Sequence, residues 1–106
     1  MTLNKAISLL DGKIHACCTE DRELSSGYCG DFLSFVMGKA PSGCLWFTIM
    51  NNQNVAAVAS LTEVGLIILC DDVQPDEFLA KKVSSVGLDL IVTKYPVFEA
   101  VKKSGL

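Results

Sequence analysis

The chain has 106 residues, a formal net charge of −3 and 50% hydrophobic residues, which is the composition of a globular domain. Its Lys and Arg residues are scattered apart from the pairs Lys81-Lys82 and Lys102-Lys103, so no basic stripe is present to bind a nucleic-acid backbone. The apolar runs fall far short of the roughly 20 residues of a membrane span, and the amino terminus lacks the apolar segment of a secretory signal. We therefore expect a single cytoplasmic domain over residues 1–106 with neither a nucleic-acid partner nor a membrane partner.

The first part of the chain predicts a helix followed by two short strands. Thr2 is placed to cap a helix whose apolar residues recur at helical spacing up to Leu10, and Gly12 is expected to end that helix in a left-handed conformation. The segments Lys13 to Cys18 and Leu24 to Cys29 are predicted as strands, separated by a polar surface loop.

The middle of the chain predicts a second helix and a buried strand. Asp31 is placed to cap a helix that runs to Lys39, and the residues Ala40-Pro41-Ser42-Gly43 end it. The strand Cys44 to Met50 is apolar on both faces except at Thr48, a pattern typical of a parallel strand that is covered on both sides.

From this strand onward the chain repeats one unit. Gly43, Gly65 and Gly87 are evenly spaced, and each opens an apolar strand that leads through a polar turn into a helix. The three helices are predicted over Val55 to Leu61, Pro75 to Val86, and Pro96 to Lys103, with the prolines at first helical positions. Short turns in strand-turn-helix units require parallel strands joined by right-handed crossovers. The sequence therefore predicts an α/β fold with a mainly parallel sheet and flanking helices.

Polar turns follow the predicted strands, at the edge where open parallel sheets bind ligands. The candidate ligand-binding residues in these turns are Ser26, Gly27, Gly30, Asn51, Asn52, Asn54, Asp71, Asp72 and Thr93. Amide and glycine turns beside helix amino termini suit a nucleotide or a small anion, whereas Asp71 and Asp72 would oppose a bare phosphate unless a metal intervened. Turn and helix-capping roles account for the same residues equally well.

The remaining motifs do not predict catalysis or a cofactor. The five cysteines lie at positions 17, 18, 29, 44 and 70 without a zinc-binding spacing, and Cys44 and Cys70 are expected in the core. Gly38-Lys39 ends a helix instead of starting one, so it is not a phosphate-binding loop. His15 and Cys17 share a strand face, but nothing in the sequence supplies the orienting group that a catalytic pair requires.

The segments GYCGDFLSFVM, WFTIMNNQNVAAVASL, and GLIILCDDVQPDE followed by GLDLIVTKYPVFEAV resemble the small stand-alone DRTGG-domain proteins of anaerobic bacteria and archaea. The resemblance covers nearly the whole chain, and its matching residues add Tyr28 and Asp31 to the candidate site. It implies an α/β domain that often dimerises and that regulates or assembles enzymes, for example beside CBS domains in a pyrophosphatase. The naming residues are absent, because Asp-Arg aligns with Asn51-Asn52 and Thr-Gly-Gly aligns with Cys70-Asp71-Asp72.

The predicted function is a non-catalytic regulatory or assembly module that forms a homodimer, senses a small ligand such as a nucleotide and modulates a metabolic or redox enzyme. One alternative is a metal or iron-sulfur accessory protein that uses Cys17, Cys18 and Cys29. A second alternative is a relative of the HPr serine kinase, which the resemblance suggests and the missing phosphate-binding loop opposes.

Overall fold

The computed structural model describes residues 1–16, 18 and 20–106, and it shows one five-stranded sheet flanked by helices in that part of the chain. The helices are α1 Leu3–Leu9, α2 Leu33–Lys39, α3 Asn54–Leu61, α4 Glu77–Val86 and α5 Val97–Ser104. The strands are β1 Lys13–Ala16, β2 Gly27–Cys29, β3 Leu45–Thr48, β4 Leu66–Leu69 and β5 Leu90–Val92. The predicted α/β class with a mainly parallel sheet is confirmed.

The strands are ordered β1-β5-β4-β3-β2 across the sheet. Strands β2 to β5 are parallel and adjacent in chain order, whereas β1 pairs antiparallel with β5 and carries an irregular register between Ile14 and Ala16. Successive right-handed crossovers in one direction place α2, α3 and α4 on the same face of the sheet. Helices α1 and α5 pack on the other face, so the fold has three layers.

Alternate residues of the central strands form the two halves of the core. Trp46 and Ile67 point towards α2, α3 and α4, while Phe47 and Ile68 point towards α1 and α5. All four side chains are fully buried, as the continuous apolar pattern of these strands predicts. Burial of large side chains on both faces supplies most of the free energy that holds the sheet in place.

The ends of α1 show one confirmed and one wrong prediction. Thr2 caps the helix, since its side chain accepts a hydrogen bond of 3.2 Å from the backbone N–H of Lys5. The left-handed residue after the helix is Asp11, with φ 49°, and not Gly12. Gly12 is required for a different reason, because a Cβ atom there would lie 2.7 Å from Cδ1 of Ile91.

The boundaries of four other elements differ from the prediction. Helices α4 and α5 begin one or two residues later than Pro75 and Pro96, and Asp76 is the cap of α4. The second strand is only Gly27–Cys29, and Leu24 of the predicted strand is buried in the core ahead of it. The first strand ends at Ala16, and Cys17 of the predicted strand lies outside the described residues.

Gly65 shows why the repeated unit opens with glycine. A Cβ atom at Gly65 would lie 2.5 Å from the carbonyl oxygen of Gly43, so the two unit starts are in backbone contact. Within the described residues, no helix is both long enough and apolar enough to cross a membrane.

Candidate functional site

The carboxyl ends of the four parallel strands meet at one edge of the sheet, which we call the carboxyl edge. The turns there contain most of the predicted site residues, namely Gly30, Asp31, Asn51, Asn52, Asn54, Asp71, Asp72 and Thr93. The amino end of β1 also lies at this edge, since Lys13 pairs with Val92. The sequence prediction that these turns converge is therefore correct for the residues that follow β2, β3, β4 and β5.

Ser26 and Gly27 do not lie in a turn at this edge, so their predicted placement is wrong, whereas Tyr28 lies in a strand as predicted. Ser26 precedes β2 and Gly27 is its first residue, so both lie at the opposite, amino edge of the parallel strands. Gly27 lies in the strand beneath the side chain of Leu106, where a Cβ atom would be 2.6 Å from Cδ1 of that residue. Tyr28 lies in mid-strand, half-buried against the core, and its ring lies beside Gly30.

Asp31 links the ends of two strands instead of capping α2. The helix begins at Leu33 after Phe32, which makes no side-chain capping hydrogen bond. The Oδ1 atom of Asp31 accepts hydrogen bonds from the Thr48 hydroxyl at 2.7 Å and from the Ile49 backbone N–H at 3.0 Å. Charge-assisted bonds of this kind are stronger than neutral ones, so Asp31 fixes the turn after β2 to the turn after β3.

The asparagines after β3 also hold the edge together. The side-chain amide of Asn51 donates to the carbonyl of Gln74 at 2.8 Å, and the Asn51 carbonyl accepts from the N–H of Asp76 at 3.1 Å. The Oδ1 atom of Asn52 accepts from the N–H of Asn54 at 2.9 Å and so stabilises the first turn of α3. These contacts fix the turn after β3 to the segment before α4.

The turn after β4 has two consecutive residues in the left-handed conformation, Asp71 with φ 58° and Asp72 with φ 57°. The N–H of Asp71 donates to the carbonyl of Tyr95, and the N–H of Asp72 donates to the carbonyl of Thr93, both at 2.9 Å. Both carboxylates are exposed, and one oxygen of Asp72 accepts from the side chain of Gln74 at 3.1 Å. The Asp71 carboxylate is therefore directed at solvent from a turn that is anchored through its backbone.

The left-handed backbone explains the glycines of the related motif. Asp71 and Asp72 are the positions that the resemblance aligns with Gly-Gly, and glycine adopts positive φ without a steric penalty. Aspartate is among the few other residues that tolerate this conformation. The shape of this turn is thus compatible with the motif even though its side chains differ.

A topological switch point lies between β4 and β5. The turn after β4 leads to α4 on one face of the sheet, and the turn after β5 leads to α5 on the other face. Diverging connections of this kind create the crevice in which open α/β sheets bind ligands. The bonds from Asp71 and Asp72 to the turn after β5 cross this crevice and close it.

Thr93 lies beneath that closed turn. It is 1% exposed, and its hydroxyl donates to the carbonyl of Leu10 at 2.7 Å. The hydroxyl therefore ties β5 to α1 and is directed away from a ligand on the surface. Beside it, the ammonium of Lys94 lies 3.7 Å from the carboxylate of Asp11, and both side chains are exposed.

A cavity of about 460 Å³ opens at the amino edge, on the side of the sheet opposite to the predicted turns. It is lined by Glu20, Asp21, Arg22, Val64, Gly65, Gly87, Leu88 and Asp89. Arg22 donates to the carboxylate of Asp89 and to the carbonyl of Gly65. Asp89 also accepts a hydrogen bond of 2.9 Å from the N–H of Cys18.

The sequence reasoning missed this ion pair, although one signal for it was present. Asp89 is a carboxylate inside an otherwise apolar strand segment, and a buried carboxylate requires a partner. Arg22 lies in a polar loop that gave no periodic pattern. The neighbouring Asp21 accepts from the N–H of Asn4 at 2.8 Å, so this loop is fixed to α1 as well.

The thiols of Cys29, Cys44 and Cys70 are not activated as nucleophiles. Burial raises the pKa of Cys70 to about 12, with further contributions from nearby Cys29 and Asp71. Burial also raises the pKa of Cys44 and of Cys29, and the charge of Asp31 adds to the shift at Cys29. A raised pKa lowers the thiolate fraction at neutral pH, and the thiolate is the reactive form.

The alternative of a metal site formed by three cysteines is not compatible with the topology. Cys18 follows β1 and Cys29 belongs to β2, and these strands are the two outer strands of the sheet. Four inter-strand spacings separate them by about 19 Å, too far for two thiolates to bind one metal ion. Cys17 lies outside the described residues. In the described part of the chain, no cluster of three or more His, Cys, Asp or Glu side chains could hold a metal ion.

Among known proteins, the informative similarity is to solved structures. No protein-family model matches the chain, and no curated protein matches it. The fold is similar to the crystal structure of the CBS and DRTGG domains of the regulatory region of Clostridium perfringens pyrophosphatase, which was solved with the activator diadenosine tetraphosphate. The TM-score is 0.80 and the sequence identity is 12%. The match covers 96% of this chain but only 45% of that structure, so the chain spans about half of its length. At this identity the match establishes a DRTGG-like fold, and the likeness to HPr serine kinase stays a prediction.

Proposed function

We propose that the chain is a non-catalytic regulatory module that binds a small ligand, such as a nucleotide, at the carboxyl edge and modulates a partner enzyme. The observation that carries this proposal is the switch point between β4 and β5, covered by the turn of Asp71 and Asp72. Ligands of open α/β sheets bind at such points. The similar pyrophosphatase region is itself regulatory and was solved with a nucleotide activator.

The hydrogen bonds of the carboxyl edge supply a physical route from ligand to partner. Asp31, Asn51, Asp71 and Asp72 each bond to a neighbouring turn, so the turns after all four parallel strands are connected. A ligand that displaces the turn of Asp71 must therefore change its bonds to Tyr95 and its neighbours. Because the turns are connected, the shape of the carboxyl edge depends on whether a ligand is bound there.

The charge of the edge restricts the ligand. The exposed carboxylates of Asp71 and Asp72 repel a bare phosphate, whereas a divalent cation between carboxylates and phosphates is the usual arrangement for magnesium nucleotides. A nucleotide is therefore expected to bind together with a divalent cation. Binding in the presence of EDTA would contradict this part of the proposal.

Thermal unfolding against a panel of adenine and guanine nucleotides, with and without magnesium, tests the proposal. A ligand at a hundredfold excess over its dissociation constant stabilises the fold by about 2.7 kcal/mol, which corresponds to roughly 10–20 °C in a domain of this size. We expect Asp71→Ala to reduce the ligand-induced shift by more than half.

Glu63→Ala is the matched control for this variant. Glu63 is also an exposed acid with a left-handed backbone, at φ 57°, but it precedes β4 at the amino edge. The two substitutions change charge and backbone strain in the same way, so only Asp71→Ala should weaken the ligand-induced shift. Equal shifts in both variants would show that the ligand does not bind at the turn of Asp71.

A further inference from the structure

The two outer strands of the sheet are protected very differently against pairing with another chain. Strand β1 begins with Lys13 and has an irregular register between Ile14 and Ala16, and both features discourage edge-to-edge contact. Strand β2 consists of Gly27, Tyr28 and Cys29, with neither a charge nor a bulge. The exposed edge of β2 is therefore open to a further strand.

The backbone pairing shows which groups of β2 are available. The carbonyl of Ser26 accepts from the N–H of Leu45, and the N–H of Gly30 donates to the carbonyl of Phe47. Peptide groups alternate in direction along a strand, so Ser26, Tyr28 and Gly30 face β3. The N–H and carbonyl groups of Gly27 and Cys29 consequently face outward, and both residues are exposed.

Exposed apolar side chains lie on α2 and α5, which cover opposite faces of the sheet, with α5 packed on β3 next to this edge. On the α2 side, Phe32 and Phe35 are 66% and 54% exposed, and their rings form an edge-to-face pair at 5.0 Å. On the α5 side, Phe98 is 74% exposed, and Leu106 covers Gly27. At about 200 Å² for each phenylalanine, the three rings leave roughly 400 Å² of apolar surface in water, divided between the two faces of the sheet.

We infer that β2 pairs antiparallel with β2 of a second copy of this chain, which joins the two sheets across a two-fold axis at Tyr28. The outward groups are self-complementary in this arrangement, because Gly27 of each copy pairs with Cys29 of the other through two N–H to carbonyl bonds. A two-fold interface requires such a surface.

The available area favours a second copy as the occupant. A standard interface buries about 800 Å² from each partner, and the three exposed phenylalanines supply roughly half of that. The strand edge and the side chains of Ile49 and Leu106, 43% and 54% exposed, supply further apolar area. The inference does not depend on the ligand proposed above.

Amide hydrogen exchange across a concentration series tests the pairing residue by residue. At low concentration we expect fast exchange at Gly27 and Cys29, and slow exchange at Tyr28 and Gly30 because these two donate to β3 within the monomer. At high concentration, Gly27 and Cys29 should become protected at least tenfold while Tyr28 and Gly30 change little. Sedimentation equilibrium under reducing conditions should show a dimer of the 11.4 kDa chain over the same range.

Cys29→Lys and Phe98→Glu are the disrupting variants, and Ile14→Lys is their control on the opposite edge. Ile14 is 51% exposed on β1, so its substitution adds the same charge without affecting β2. We expect each disrupting variant to raise the dimer dissociation constant at least tenfold, while Ile14→Lys leaves it unchanged. Unfolding temperature and circular dichroism establish that each variant is folded.

Three results would overturn the inference. A chain that stays monomeric at high micromolar concentration has no such dimer, even if another protein binds the edge. A dimer in which the amides of Gly27 and Cys29 still exchange freely uses a different surface. A dissociation constant that changes equally in Ile14→Lys and Cys29→Lys reflects charge alone.

Discussion

Arg22 and Asp89 form an ion pair, and replacing one partner is expected to destabilise the fold more than replacing the other. The Asp89 side chain is 10% exposed, whereas the Arg22 side chain is 42% exposed. Replacing Arg22 by Met leaves a buried carboxylate that keeps its hydrogen bond from the N–H of Cys18 but loses its ion-pair partner. Replacing Asp89 by Asn keeps an acceptor for that N–H and leaves a guanidinium that water can reach.

The expected magnitudes follow from this difference in exposure. Breaking a buried ion pair destabilises a protein by about 3–5 kcal/mol, and partial exposure of Arg22 reduces this to about 2–3 kcal/mol for Arg22→Met. Asp89→Asn should destabilise by about 1 kcal/mol, because it removes a charge-assisted bond but leaves no unpaired buried charge. For a domain of about 100 residues, the first value lowers the unfolding temperature by roughly 10–20 °C.

Urea unfolding of the two variants measures these free energies, and Lys94→Met serves as the control. Lys94 pairs with Asp11 at 3.7 Å, but both side chains are exposed, so its loss should change stability by less than about 0.5 kcal/mol. The urea dependence of the unfolding free energy should be the same in all variants if only the native state changes. An Asp89→Asn variant as unstable as Arg22→Met would refute the argument from exposure.

Three further predictions concern the backbone, a histidine and a thiol. Asp71→Gly should stay within about 0.5 kcal/mol of the parent chain in urea unfolding, while Asp71→Ala should lose about 1 kcal/mol, because glycine adopts the left-handed conformation and alanine does not. Burial and a nearby lysine lower the pKa of His15 from 6.5, so the unfolded state binds more protons than the folded state. The free energy of unfolding should therefore fall as pH decreases below 6.5, and this part of the pH dependence should be absent from His15→Phe. Asp31→Asn should speed alkylation of Cys29 at neutral pH, since the carboxylate of Asp31 contributes to the raised pKa of that thiol, and an unchanged rate would leave burial as the sole cause.

Local sequence patterns predicted the fold well because the strand-turn-helix units specify their own connections. Evenly spaced Gly43, Gly65 and Gly87 and the apolar strands after them were sufficient for a parallel α/β sheet. The antiparallel direction of β1 was not predicted, because no short-range pattern encodes its pairing with β5 at the far end of the chain.

The site was predicted less completely because its contacts are long-range. Asp31 precedes α2 as a cap would, yet its carboxylate bonds to residues of β3 and the turn beyond it. Arg22 and Asp89 are 67 positions apart, and only the folded chain brings them together. Side chains that bond across turns therefore looked like ordinary turn and capping residues in the sequence.

The carboxyl edge and the amino edge of the sheet are two different places where a ligand that stabilises this chain could bind. The carboxyl edge has the switch point expected of an α/β ligand site, but backbone bonds from Asp71 and Asp72 close it. The amino edge has an open cavity, with the ion pair of Arg22 and Asp89 in its wall. A ligand at the switch point must either rest on the closed turn or break its bonds, and breaking them would speed amide exchange at Asp71 and Asp72. A ligand whose stabilising effect survives Asp71→Ala but is lost in Arg22→Met would instead occupy the cavity. These two variants therefore assign the ligand to one edge or the other without a structure of the complex.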